Sequence, residues 1–249
     1  MIELKNEDML TGIKSIADNS IDLLVTDPPY LIVPGGCAKP LGGMLGKGTG
    51  GCTKPLGGML GKSTGGCSSR QMMNVKKGKL FDHNSIKFSD WLGETYRVLK
   101  PKSHAYIFCS GRRLNELTTE ALKAGFIYQN LLVWVKQNSV PNRYYMNKAE
   151  FILMLRKGGA KNINMLGSNT VLEYRNKLGN KLHPTEKPVS LLKHLIENSS
   201  QPNEIVLDPF AGCGSTGLAC KQTERNFIGY EIDKKYYDIA LRVMGINND

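Results

Sequence analysis

The sequence contains no Cys-x-x-Cys pair. Its six cysteines stand at positions 37, 52, 67, 109, 213 and 220. That spacing argues against a zinc ribbon and a thioredoxin-type site, and reduced thiols in a cytosol are the expected state. No apolar stretch approaches the ~20 residues that cross a bilayer, and the opening Met1–Asp8 lacks the apolar core of a secretory signal. Acidic residues are the scarce charge: 22 Asp and Glu face 33 Lys and Arg, for a net charge of +11. Such an excess favours a polyanionic partner, nucleic acid ahead of an anionic membrane. At 249 residues the chain is read as a single domain, 1–249, with room for a substantial core.

Two short motifs carry the chemistry. Near the N-terminus the run Ile21-Asp22-Leu23-Leu24-Val25 ends in Thr26-Asp27-Pro28-Pro29-Tyr30. Near the C-terminus Glu204-Ile205-Val206-Leu207 ends in Asp208-Pro209-Phe210-Ala211-Gly212-Cys213-Gly214-Ser215-Thr216. Each reads as a buried strand stopped by a rigid or glycine-rich turn, and ligands of open α/β sheets sit at that carboxyl edge. Gly212 and Gly214 let the backbone approach a ligand while the following helix offers free N–H groups. Ser215 and Thr216 add hydroxyl donors. Glu231, 17 residues beyond Gly214, is placed to accept both hydroxyls of a ribose. With Gly217 the turn formally matches G-x-G-x-x-G, so it fits a nicotinamide dinucleotide enzyme as well as an S-adenosylmethionine (SAM) enzyme.

The Asp27–Tyr30 turn has a different character. Two prolines remove two backbone donors, leaving two acceptors, the Asp27 carboxylate and the Pro28 carbonyl. Both can grip an –NH₂ group, and on a nucleobase that grip would free a lone pair otherwise delocalised into the ring. Tyr30 supplies a flat face for stacking.

Between the motifs the chain repeats itself. Gly35 to Thr49 reads GGCAKPLGGMLGKGT, Gly50 to Thr64 reads GGCTKPLGGMLGKST, and a third copy starts at Gly65. The unit is too glycine-rich for helices and too poor in apolar residues for a solenoid. Residues 31–80 are therefore expected to form a mobile surface loop, with Cys37, Cys52 and Cys67 incidental to the duplication. Gly61-Lys62-Ser63 is not a phosphate loop, since Leu56 occupies the required glycine position.

Elsewhere the periodicity predicts helices over 90–100, 114–122, 186–198 and 234–244, and strands over 104–109, 126–135, 150–155 and 226–232, with 126–135 and 150–155 antiparallel. Alternating strands and helices imply a mixed, mostly parallel sheet covered on both faces. The 156–182 segment is polar, basic and poorly patterned. Its Arg156, Lys157, Lys161, Arg175, Lys177 and Lys181 are read as DNA contacts. Lys76, Lys77, Lys79, Arg112 and Arg113 are further candidates for a DNA cleft. His83 and His104 stand in no arrangement that would make them general bases, and His183 is read as a loop residue.

Taken together these residues resemble the DNA amino-methyltransferases, which move a methyl group from SAM to adenine N6 or cytosine N4. The likeness spans nearly the whole chain apart from the repeat and the 156–182 segment. Catalytic motif first, recognition segment next and cofactor motif last is the order of the circularly permuted β group. The resemblance implies a doubly wound, Rossmann-like methyltransferase sheet, circularly permuted, with a small target-recognition segment at 156–182. It assigns catalysis to Asp27, Pro28, Pro29 and Tyr30. It assigns SAM binding to Asp8, Thr185, Lys187, Asp208, Phe210, Gly212, Gly214, Ser215, Thr216 and Glu231, with Thr185 and Lys187 near the methionine carboxylate. Asp in the first motif position points to adenine N6, extruded from double-stranded DNA. Neither metal nor membrane is implied. A monomer or homodimer in the cytoplasm of a bacterial or phage-infected cell is expected, in a restriction-modification setting. The alternatives are a cytosine-N4 enzyme, a nicotinamide-dependent oxidoreductase and a non-catalytic DNA-binding module.

Overall fold

In the computed structural model, residues 1–29, 86–140, 145–175 and 186–246 are described. Tyr30, the repeat, Lys177, Lys181, His183 and Thr185 lie outside the described residues.

The chain opens with β1 (Ile2–Lys5), a single helical turn α1 (Met9–Gly12) and β2 (Ile21–Thr26). After the undescribed stretch come α2 (Phe88–Val98), β3 (Leu99–Cys109), α3 (Leu114–Lys123), β4 (Ile127–Val140), β5 (Asn147–Arg156) and the short β6 (Val171–Glu173). The last third alternates: α4 (Val189–Ser199), β7 (Ile205–Asp208), α5 (Ser215–Gln222), β8 (Asn226–Tyr230) and α6 (Lys234–Met244). The eight described strands form one sheet in the order β1-β8-β7-β2-β3-β5-β4-β6. From β1 to β3 all neighbours are parallel; β5 is antiparallel to both β3 and β4, and β6 is parallel to β4.

Every residue of β2 is buried, because helices cover both faces of the sheet. Leu23 and Val25 pack into an apolar layer with α4, α5 and α6. Leu24 points the other way, into a layer with Met9, Trp91, Leu92 and Leu117. The run is apolar throughout rather than alternating, as a doubly covered parallel strand requires. Its one acid, Asp22, is spent at the far end of the strand: it accepts from Lys100 Nζ at 2.6 Å and from the Ile205 amide at 2.9 Å, tying β2 to β3 and β7.

Several boundaries differ from the sequence reading: β3 opens at Leu99 and β4 runs on to Val140, and two helix ends differ for a local reason. The helix expected over 90–100 ends at Val98 because Leu99 already pairs with Ile21 in the sheet, so Pro101 sits within β3. The helix expected from residue 186 begins at Val189, with Pro188 extended at ψ 127° as its N-cap. A residue that precedes proline is itself disfavoured in helix, which leaves Lys187 in the loop ahead of α4. Strand β6 is new: its three residues carry no periodic signal and owe their conformation to pairing with Val133–Val135.

Candidate active site

Strands β2 and β7 are neighbours in the sheet although 183 residues separate the facing pairs, Leu23 with Val206 and Leu24 with Leu207. Parallel pairing therefore brings their carboxyl ends side by side, and with them the two motifs. The junction is bonded: Thr26 Oγ1 donates to Asp208 Oδ1 at 2.7 Å. The same oxygen accepts from the Phe210 amide at 3.1 Å, and the Thr216 side chain also bonds Asp208. Burial pushes the Asp208 carboxyl up to about 6 against these three donors. Asp208 and Thr216 thus fasten the turn to β2. Ser215 hydroxyl lies 3.4 Å from Cys213 Sγ.

One residue past Thr26, Asp27 is largely buried. Its Oδ2 accepts from Lys187 Nζ at 2.5 Å, while Oδ1 is buried with no hydrogen-bond partner. Burial raises the Asp27 carboxyl above its ordinary range, the Lys187 ammonium pulling the other way. Lys187 is only 7% exposed and lies 5.1 Å from the centre of the Phe108 ring. Its Nζ is also 3.4 Å from Glu150 Oε2, and Glu150 in turn bonds Lys136. A buried carboxylate oxygen without a hydrogen-bond partner calls for an explanation, and Glu150 Oε2 is in the same position. The Cys109 thiol beside it is pushed up to about 12 by burial and by the two acids, which leaves it unreactive at neutral pH.

Across the edge, Gly212 and Gly214 adopt left-handed backbone at φ +56° and +81°. A Cβ on Gly212 would meet nothing within 4 Å, whereas one on Gly214 would strike the Ala240 backbone. The first glycine opens a space and the second lets the turn lie against α6. Gly217 is needed for packing too, with Met244 Sδ at 2.2 Å from its would-be Cβ; the formal G-x-G-x-x-G match says nothing more. Glu231, just past β8, closes the cradle. It accepts the Gly212 amide on Oε2 at 2.9 Å and the Asp233 amide on Oε1 at 2.8 Å. Burial still pushes its carboxyl up to about 7. Two carboxylate oxygens beside an open glycine cradle, next to the first turn of α5, fit the ribose and the charged end of a nucleoside cofactor.

The other expected residues divide between the two edges. Asp8 caps α1 through the Leu10 amide at 2.9 Å, on the edge where the Glu231 amide meets Lys5. Phe210 lies edge-on to Trp91, ring centres 5.3 Å apart. Pro28 and Pro29 follow Asp27 directly, and Arg175 follows β6 on the same edge. Arg156, Lys157 and Lys161 are not there. Arg156 closes β5, which runs antiparallel to β3, and pairs with His104; the Lys161 carbonyl meets His104 Nε2 at 3.1 Å, so both lie away from the carboxyl edge, towards the amino edge. Lys157 Nζ is consumed there by the carbonyls of Tyr96, Arg97 and Leu99 at 2.7, 3.1 and 2.7 Å, where it caps the end of α2. The basic segment is therefore not one surface gathered at Asp27. Glu150 and Lys136 escaped the sequence reading. Their signal was a charged residue opening a predicted strand whose antiparallel neighbour is followed directly by a lysine.

A family model described as DNA methylase (N6_N4_Mtase) matches residues 21–242. The chain belongs to the DNA amino-methyltransferase family. It is 29% identical to the type II methyltransferase M.HpaI of Haemophilus parainfluenzae, over 93% of this chain and 70% of the relative. With M2.DpnII of Streptococcus pneumoniae it shares 26% identity over 99% and 90%. The solved M1.HpyAVI–SAM complex superposes with a TM-score of 0.66 at 27% identity, covering 97% and 99% of the two chains. The cytosine-N4-specific PvuII methyltransferase shares the fold at 14% identity, TM-score 0.68, over 99% and 86%. SAM is the methyl donor of this family, and the nicotinamide alternative is not favoured. Among the described residues, no cluster of His, Cys, Asp or Glu is built to hold a metal, and no helix is long and apolar enough to cross a membrane.

Proposed function

We propose that this methyltransferase modifies adenine N6 in double-stranded DNA, taking the target base out of the duplex to reach it. One observation carries the reading: Asp27 presents a buried, unpaired Oδ1 at the sheet edge, within one turn of chain from the bonded junction with the SAM motif. SAM supplies a methyl group on a positively charged sulfur. Asp27 Oδ1 and the Pro28 carbonyl accept the two hydrogens of the base amine and favour a pyramidal nitrogen with its lone pair restored. Preorganised polar groups of this kind are worth about 3 kcal/mol each elsewhere. Tyr30 stacks on the extruded ring, a contact worth about 1–3 kcal/mol per base. Glu231 and the Gly212 cradle hold the nucleoside end of the donor, and Arg175 reaches for phosphate on the same edge.

An acid rather than serine at position 27 favours adenine N6 over cytosine N4. The test is to incubate the protein with labelled SAM and unmethylated DNA, digest to nucleosides and identify the product by mass. N6-methyladenine supports the reading. Label found only in N4-methylcytosine transfers the enzyme to the other branch, and no label in any DNA removes the proposal.

A further inference from the structure

Four charged side chains stand in alternating order at the active edge: Asp27, Lys187, Glu150 and Lys136. Lys187 bonds Asp27 at 2.5 Å and faces Glu150 at 3.4 Å, and Glu150 bonds Lys136. The last two come from the β4–β5 pair, where Trp134 faces Glu150, so Lys136 is the diagonal neighbour of Glu150 on one face. None of the four is fully exposed; Lys136 and Glu150 side chains are 20% and 22% accessible. Buried ion pairs add little net stability because desolvation offsets their attraction. Stability therefore does not explain a row of four.

Their geometry does. An ammonium with a single carboxylate for partner would settle between both oxygens and cover the acceptor the base amine requires. A second anion, Glu150 Oε2 at 3.4 Å from the same nitrogen, draws it off centre. Taking Asp27 as the group that grips the base amine, we propose that Glu150 and Lys136 are positioning residues of this methyltransferase: they share the Lys187 ammonium, so that it fixes Asp27 through Oδ2 and leaves Oδ1 turned towards the base. Lys136 in turn keeps Glu150 from drawing Lys187 away altogether. Among the described residues, the groups that act on Asp27 electrostatically are Lys187 from the loop ahead of α4, Glu150 from β5, Lys136 from β4, the Cys109 thiol from β3 and Asp208 from β7. In this arrangement Glu150 raises the Asp27 carboxyl and Lys136 lowers it.

The alternation gives a test with two signs. Aspartate carboxyls are labelled with ¹³C and titrated by NMR in protein free of SAM and DNA, the Asp27 signal being the one lost in Asp27→Asn. Glu150→Gln should lower the Asp27 midpoint and Lys136→Met should raise it, each on the order of one pH unit, the effect of a single nearby charge. Both variants keep the apolar part of the side chain, and a melting curve for each confirms folding. In methyl transfer, Glu150→Gln should cut kcat on the order of a hundredfold, what a misplaced reacting group costs. The KM for DNA should stay within about threefold, and Glu150→Asp should recover part of the loss. Midpoints that stay put or move the same way overturn the ladder, even if the wild type methylates DNA. Midpoints that move oppositely uphold it, and a wild type that then labels no DNA sinks the methyl-transfer reading instead.

Discussion

Gly212 and Gly214 occupy the same turn and the same left-handed region of backbone, yet alanine should affect them differently. At Gly214, φ +81°, a Cβ would lie 2.9 Å from Ala240 Cβ, 3.0 Å from its Cα and 3.1 Å from its carbonyl oxygen. Those atoms belong to the middle of α6 and cannot swing aside as a side-chain tip could. The left-handed conformation costs an L-residue roughly 1–2 kcal/mol, and forced overpacking adds roughly 1–3 kcal/mol. Gly214→Ala should therefore lose about 2–5 kcal/mol, a large share of the ~5–15 kcal/mol that holds a domain folded. At Gly212, φ +56°, nothing lies within 4 Å, so only the backbone penalty of about 1–2 kcal/mol remains. The added methyl would instead stand in the cradle, and SAM affinity should fall on the order of tenfold, about 1.4 kcal/mol. Urea unfolding followed by the fluorescence of the buried Trp91 and Trp134, with SAM binding by calorimetry, separates the two effects. A Gly214→Ala protein that unfolds at the wild-type urea concentration would refute the packing argument. A Gly212→Ala protein that binds SAM normally would refute the cradle.

Three further outcomes follow from the same structure. Thr26→Val removes the 2.7 Å donor that joins the motifs and leaves a buried carboxylate short of a partner, which should cost roughly 1–3 kcal/mol; an unchanged urea midpoint contradicts it. In the proposed role of ribose acceptor Glu231 acts as the carboxylate, yet burial holds it up to about 7. SAM affinity should then weaken about tenfold per pH unit below that value and level off above it, with a proton released on binding. A dissociation constant flat between about pH 5.5 and about pH 8.5 would argue against this role for the acid. The same shift, upward from 4.5, means that ionising Glu231 costs more in the folded chain than in the unfolded one. Its contribution to stability is greatest below about 4.5 and is lost as pH rises through about 7. Lys157→Met should lower stability by roughly 1–3 kcal/mol through lost carbonyl contacts and leave DNA affinity unchanged; weakened DNA binding at wild-type stability would restore the residue to a DNA role.

Much of this enzyme is legible in the sequence because its information is local. The β2 run is apolar on both sides, which only a doubly covered strand tolerates, and Gly212 and Gly214 announce a turn through left-handed backbone. The acid at 231 stands at the end of the next strand, where a ribose would be met. Tertiary structure decided the rest. That β7 inserts beside β2, so Thr26 can bond Asp208, depends on strand order across 182 residues, and no local propensity encodes strand order. That Lys187 turns to Asp27 follows from Pro188 delaying α4 and from Glu150 arriving on an antiparallel strand. That the basic 156–161 stretch lies at the amino edge follows from β5 running against β3: charge can be counted in a sequence, but the direction of a strand decides which edge of the sheet receives it.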